Sequence, residues 1–192
     1  GMVRAPWVLD LVARFARFVY RRSDLVLVQS EAFTAPIMAL GIEAAKILYY
    51  PNSAESIYRP VPAEMPPPPG QPPLPDGFRV MFAGNIGAAQ DFETILGAAE
   101  LTREERNVHW TIVGDGRMHS WVASEIARRG LAGTVHLLGR HPMESMPPLF
   151  ARADALLVTL RNEPVFALTI PSKLQSYLAC GRPILAALDR EG

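Results

Sequence analysis

The chain reads as an α/β protein built on a parallel sheet with helices on both faces, and three features predict it. From residue 78 onward, apolar runs at Phe78–Ala83, Val108–Val113, Thr134–Leu138, Ala155–Thr159 and Pro183–Ala187 alternate with segments of helical periodicity. Strands alternating with helices imply right-handed crossovers and a parallel sheet. The early strands each lead into a glycine turn: Gly84-Asn85-Ile86-Gly87, Gly114-Asp115-Gly116 and Gly139-Arg140-His141-Pro142. Finally, apolar residues make up 49% of the 192 residues, enough for a substantial core.

From the amino-terminal side, Trp7, Val8, Leu11, Phe15, Phe18 and Val19 recur at spacings of three and four, with Arg14, Arg17, Arg21 and Arg22 between them. The pattern predicts an amphipathic helix from Trp7 to Arg22 with a basic side. Such a helix can attach to an anionic membrane surface or pack on a domain with its arginines in water, and both can hold together. The strand Asp24–Gln29 that follows at once favours packing. Ser30 is placed to cap a short helix over Glu31–Leu40, Gly41 ends it, and Lys46–Tyr50 is a further strand. Two strands and two helices are too little for a self-sufficient core, so residues 1–55 are expected to be an incomplete strand-helix piece of a domain whose beginning is missing.

Pro51-Asn52-Ser53 reads as a turn, and nine prolines with Gly70 fall between Pro60 and Pro75. A stretch so rich in proline resists helix and sheet pairing, which makes residues 56–77 a semi-rigid linker rather than a proline-rich ligand for a recognition module. Residues 78–192 form the second domain, with helices expected over Phe92–Leu101, Met118–Arg129 and Ser145–Arg152. A last helix has both ends marked. Pro171 suits the first turn, Ser172 can cap the free N–H groups, and Gly181 stops it. Leu174, Tyr177 and Leu178 form its buried stripe, and Lys173 lies beside its anion-attracting start.

In a sheet of this kind, ligands bind beyond the carboxyl ends of the strands. The glycine turns and the loop before Ser172 are therefore expected along one edge, where Gly84, Gly87, Gly114 and Gly116 leave room for a phosphate or nucleotide. Neither a Walker phosphate loop nor the three-glycine dinucleotide fingerprint is present. His109 and His136 fall within strands, as packed or solvent-facing side chains; His141 follows a strand-end glycine, where its backbone can reach a ligand. No serine nucleophile elbow and no convincing carboxylate pair supports hydrolysis; Asp115 and Glu163 are the best-placed acids, and either can simply cap a turn.

Lysine plus arginine equals aspartate plus glutamate at 19 each, so no global field favours nucleic acid. The single cysteine, Cys180, excludes a disulfide framework and offers no metal-ligand spacing, which fits a reducing, cytoplasmic setting. No apolar run approaches the roughly 20 residues needed to span a bilayer. With the basic helix over residues 7–22, this leaves peripheral attachment at the inner membrane face as the one membrane role to consider.

Taken together, Phe82-Ala83-Gly84-Asn85-Ile86-Gly87 with Gln90, Ile112-Val113-Gly114-Asp115-Gly116, Leu138-Gly139-Arg140, Ile170-Pro171-Ser172-Lys173-Leu174, and Ala179-Cys180-Gly181-Arg182-Pro183 resemble the donor-binding lobe of retaining glycosyltransferases of family 4. Tyr50-Pro51-Asn52 resembles that family's linker entry. The resemblance implies one Rossmann-like lobe of the two-lobed GT-B fold. The nearest branch modifies bacterial surface polysaccharides from UDP-linked amino sugars or deoxysugars.

By the same resemblance, Gly84, Asn85 and Gly87 would face the donor sugar and phosphates, and Thr169, Ile170, Pro171, Ser172 and Lys173 would hold the diphosphate. Gly114, Gly139, Arg140, His141 and Ser176 would meet the base and ribose. The nucleotide-sugar is a co-substrate; no metal or other cofactor is implied, and no catalytic residue is assigned. Many members carry two glutamates eight positions apart where this chain has Leu168 and Ser176, so the carboxylate that usually grips the ribose is missing and weaker or altered ribose binding is implied. Asn85 and Gln90 replace a basic pair. Family members place the acceptor site in an amino-terminal lobe, and more sheet and helix are expected after Asp189. The chain alone is therefore expected to bind a nucleotide-sugar weakly and transfer nothing. A non-catalytic nucleotide-binding or interaction module of the same fold is the alternative.

Overall fold

Apolar side chains on both sides of short strands decide the architecture. The computed structural model describes residues 6–64, 70, 73–105 and 107–189. It places β3 (Phe78–Ala83), β4 (Val108–Val113), β5 (Val135–Gly139), β6 (Ala155–Thr159) and β7 (Ile184–Ala187) in one five-stranded parallel sheet, in the order β5-β4-β3-β6-β7. Successive strand residues point to opposite faces. Val80, Phe82, Trp110 and Ile112 thus look to one side, where α3 (Phe92–Leu101) and α4 (His119–Arg128) cover them through Phe92, Ile95, Leu96, Val122 and Ile126. Met81, Ala83, Val113, Leu156 and Val158 look to the other, under α5 (Met146–Ala151) and α7 (Lys173–Ala179), which contribute Leu149, Phe150 and Tyr177. Arg129 ties α3 to α4, its guanidinium meeting Glu125 at 2.8 Å, Glu100 at 3.0 Å and Glu93 at 2.5 Å.

The amino-terminal piece is smaller. It comprises α1 (Pro6–Arg22), β1 (Val26–Val28), α2 (Thr34–Ala39) and β2 (Ile47–Tyr49), the two strands pairing in parallel. Ser30 does cap, its hydroxyl accepting the Ala32 N–H at 3.2 Å, but it caps a 3-10 turn over Glu31–Phe33 that then leads into α2. Val26, Val28, Ile37 and Ile42 form the core of this piece. The packed reading of the 7–22 helix is not what the structure shows. Among the described residues nothing covers the apolar stripe of α1, and Trp7 and Phe15 are 71% and 67% exposed. Two strands of three residues offer too little surface, and only Val8, Ala16 and Tyr20 become half-buried.

Other departures are local. The helix expected over 145–152 begins as a 3-10 turn at Met143–Ser145 and becomes α only at Met146, because Pro147 and Pro148 lack the N–H groups of a helix interior and fit its first turn. A four-residue helix, α6 (Pro164–Ala167), was not expected. Residues 65–69 and 71–72 of the proline-rich stretch lie outside the described residues, but Tyr58 and Leu74 to either side pack into the second-face core rather than spanning open solvent. Among the described residues no helix is long and apolar enough to cross a membrane.

His109 and His136 pair across β4 and β5, with Nδ1 and Nε2 3.1 Å apart. Burial first, and then the His109 charge, lower the pKa of His136 below its ordinary 6.5. A base with a depressed folded-state pKa contributes stability that is present above its unfolded pKa and lost as pH falls through the folded one. Urea unfolding midpoints should therefore decline as pH drops below about 6.5, and His136→Asn should flatten that decline. An unchanged pH profile in the variant would show that the pair does not carry it.

Candidate functional site

The sheet order creates a switch point. From β3 the chain winds outward through β4 and β5, then returns to the other side of β3 for β6 and β7. Neighbouring strands whose crossovers leave in opposite directions part at their carboxyl ends, which is where such sheets bind ligands. Here β3 and β6 pair only at Val80 with Ala155 and Met81 with Leu156. Beyond that point the Ala83 backbone has no strand on this side. Tyr177 takes over: its hydroxyl accepts the Ala83 N–H at 2.9 Å and donates to the Ala83 carbonyl at 3.1 Å. Burial holds this phenol well above the usual tyrosine range, so it keeps the proton it donates.

Above this closure lies a cavity of about 720 Å³. Its floor is the strand ends: Ala83, Gly84 and Asn85 after β3, Val113, Gly114 and Asp115 after β4, and Arg140 and His141 after β5. Gly84 and Gly114 have φ of +143° and +137°, and a Cβ on Gly114 would collide with the Gly84 carbonyl. Only glycine allows the two turns to lie so close, leaving bare backbone exposed to a ligand. One wall is α7, through Ser172, Lys173, Ser176 and Tyr177; Met143, Met146 and Phe150 line another side, with Ser53, Glu55 and Tyr58 from the stretch after β2.

Lys173 is the electrostatic centre. Its Nζ lies 3.9 Å from the Phe82 ring centroid and 2.5 Å from Gln90 Oε1, and its tip passes over Gly84. Among the described residues no carboxylate pairs with it. Burial pushes its pKa from 10.5 down to about 7, while the ring face and the amide oxygen favour the charged form. A half-buried cation with neutral partners, facing a cavity floored by glycine backbone, has the chemistry to attract an anion. No three histidine, cysteine or carboxylate side chains among the described residues converge to hold a metal.

Of the residues expected here, Gly84, Asn85, Gly114, Arg140, His141, Ser172, Lys173 and Ser176 do share this cavity. Gly87 and Gly139 do not line it, and Thr169, Ile170 and Pro171 line a separate cavity of about 130 Å³ with Phe166, Leu174, Leu188 and Asp189. The Ser172 cap is absent: at φ −59°, ψ −26° the residue is itself helical, so its hydroxyl does not reach the N–H groups it would cap. Leu178, expected in the buried stripe, is 63% exposed. His141 ties its ring to the Leu138 carbonyl at 3.0 Å, and Asp115 accepts the Gly116 N–H at 2.7 Å. Sequence reasoning missed Tyr177 as the closure, Phe82 under the lysine, and the wall from Ser53 to Tyr58. An aromatic residue just before a run of prolines was the available signal for Tyr58.

A doubly wound parallel lobe with a lysine-lined crevice at its switch point is the architecture of α/β domains that bind their ligands beyond the carboxyl ends of the strands. Residues 77–191, more than half the chain, match the family described as Glycosyl transferases group 1, and the chain belongs to that family. It is 29% identical over 181 residues to WbjE of Pseudomonas aeruginosa, assigned as a glycosyltransferase, and 27% identical over 184 residues to WcaI of Escherichia coli (strain K12), assigned as a glycosyl transferase of colanic acid biosynthesis. Each match covers 94% of this chain and 44% of the relative, so the chain spans less than half the length of these curated relatives. Its fold matches that of Anabaena Alr3699/HepE, crystallised with UDP and glucose, with a TM-score of 0.69 at 19% identity, over 95% of this chain and 49% of that one. The five-stranded sheet thus corresponds to one Rossmann-like lobe of a GT-B glycosyltransferase.

Replacing Tyr177 by Phe leaves the Ala83 N–H and carbonyl without their buried partner. Tyr177→Phe should lower unfolding free energy by about 1–3 kcal/mol, measured by urea denaturation; a change within error would mean that the strand end finds water instead.

Proposed function

We propose that this chain is the donor-binding part of a retaining, family-4-type glycosyltransferase that takes a sugar from a UDP-sugar for surface polysaccharide synthesis. The single observation that carries this is Lys173, half-buried over Gly84 at the sheet's switch point with no counter-charge among the described residues. Two facts support the choice of ligand. The neighbour HepE is crystallised with UDP and with UDP-glucose, and WcaI is assigned to polysaccharide synthesis.

The chemistry follows from where charge develops. As the glycosidic bond to the diphosphate breaks, negative charge grows on the leaving nucleotide; an ammonium and fixed backbone N–H groups lower that barrier. In this reading Lys173 carries the charge, the Gly84 and Gly114 turns admit the diphosphate, and Arg140, His141, Met143 and Met146 form the side toward the base. Acceptor recognition falls to the part of its relatives' length that this chain does not span, and the chain alone transfers nothing. The serine at position 176 favours a second reading, a nucleotide-binding module without transferase activity. Turnover of a UDP-sugar by this chain joined to the length its relatives have beyond it would separate the two.

Calorimetric titration with UDP, UDP-N-acetylglucosamine and GDP should show weak binding, strongest for the uridine ligands. No heat from any of the three at millimolar concentration would overturn the proposal. Lys173→Met should weaken UDP binding by about tenfold or more, as loss of a charge-assisted hydrogen bond does. Because the free amine loses its proton near pH 7 and bound diphosphate requires the ammonium, UDP affinity should fall as pH rises from 7 to 9, approaching about tenfold per unit. Lys173→Met should abolish that slope.

A further inference from the structure

The cavity contains a carboxylate that nothing yet explains. Glu55 lines it from the stretch after β2, and among the described residues its carboxylate accepts no hydrogen bond and joins no ion pair. An unpaired anion in a cavity built to receive a phosphate is unfavourable by simple repulsion. Exposed to water, it is free to accept donors that a ligand brings.

Its position is held rather than incidental. The Tyr58 N–H donates to the Glu55 carbonyl at 3.0 Å, closing a turn over residues 55–58. Tyr58 stacks on Phe150 with ring centroids 6.1 Å apart, and Phe150 meets Tyr177 edge-on at 5.0 Å. The next residues run along the end of α7: the Arg59 backbone hydrogen-bonds Cys180, and the Pro60 ring lies beside Gly181. The phenol of Tyr58 reads its surroundings. Burial raises its pKa, the Glu55 charge raises it further, and hydrogen bonding to Ser176 pulls it back. Glu55, Tyr58 and Ser176 are therefore one cluster. Ser176 lies one helical turn beyond Lys173, so this cluster adjoins the diphosphate seat.

Next to the diphosphate of a nucleotide comes a ribose, which presents two neighbouring O–H donors. A carboxylate has two oxygens and accepts such a pair side by side in one geometry, whereas Ser176 offers a single uncharged oxygen that already hydrogen-bonds Tyr58. We propose that Glu55, presented by the segment anchored through Tyr58, receives the 2′- and 3′-hydroxyls of the nucleotide ribose. The inference rests on the nucleotide-sugar reading above and names a residue of that site which lies outside the parallel-sheet lobe. Tyr58 is a positioning residue; Glu55 touches the ligand.

The test compares UDP with 2′,3′-dideoxyuridine 5′-diphosphate by calorimetry on the 192-residue chain and its Glu55→Gln and Glu55→Ala variants, with thermal melts to confirm folding. Glu55 is exposed, so both variants should fold. The unsubstituted chain should prefer UDP by about tenfold or more, and both variants should lose most of that preference while binding the dideoxy ligand no more weakly. If the variants keep the preference, Glu55 does not read the ribose and the inference is overturned while the donor-site reading stands. A uniform rise in affinity for both ligands would show only relief of repulsion and would also overturn it. If the unsubstituted chain binds neither ligand, both readings fall together.

Discussion

The site depends on how a sheet is closed where two strands stop pairing. Between β3 and β6 the hydrogen-bonded ladder ends two residues short of Ala83, and a single phenol, that of Tyr177, satisfies both backbone groups left open. A buried backbone N–H and carbonyl without partners would be costly, so either the strands stay together and no crevice forms or something else fills the gap. A tyrosine on the helix that follows the last loop solves this without filling the space above. The ring also packs edge-on with Phe150, so the closure is part of the second-face core as well as the cavity wall.

Around that closure the charge distribution is asymmetric. Lys173 is surrounded by neutral groups, the face of Phe82 and the amide of Gln90, while the carboxylates of the cavity are either occupied, as Asp115 is by its own turn, or stand at the segment after β2, as Glu55 does. A lysine so placed is costly in the empty protein and favourable once an anion arrives, so part of the binding free energy is relief of a cost already present. The turn after Gln90 is marked by its neighbour Asp91, the one described non-glycine residue with positive φ, at 48°, whose carboxylate accepts the Thr94 hydroxyl at 2.6 Å.

Much of this was legible beforehand because it is written in local pattern. Strand-end glycines and the alternation of strands with helices predict the parallel sheet, and the helix that starts at Lys173 fell where expected, while Thr169, Ile170 and Pro171 before it line a separate cavity. What escaped prediction depends on contacts between residues distant in the chain. Ser172 looked like a cap because serine before a helix usually is one, yet the helical turn starts one residue early and carries the hydroxyl away. Leu178 has helical spacing from Leu174, but the helix presents that position to solvent. The wall from Ser53 to Tyr58 could not be read from local periodicity, since proline-rich sequence reports what a segment cannot form and says nothing of what it packs against.

The stripe of α1, uncovered among the described residues, has a consequence for how the molecule behaves in solution. Trp7, Leu11, Phe15 and Phe18 lie open on a chain whose positive and negative side chains balance at 19 each. Colloidal stability at neutral pH ordinarily comes from like-charged molecules repelling one another, and a neutral chain has little such protection. Attraction between greasy faces then acts nearly unopposed at short range. Solubility should accordingly be poorest near the isoelectric point of about 7.1, and improve on either side of it as the surface acquires a net sign.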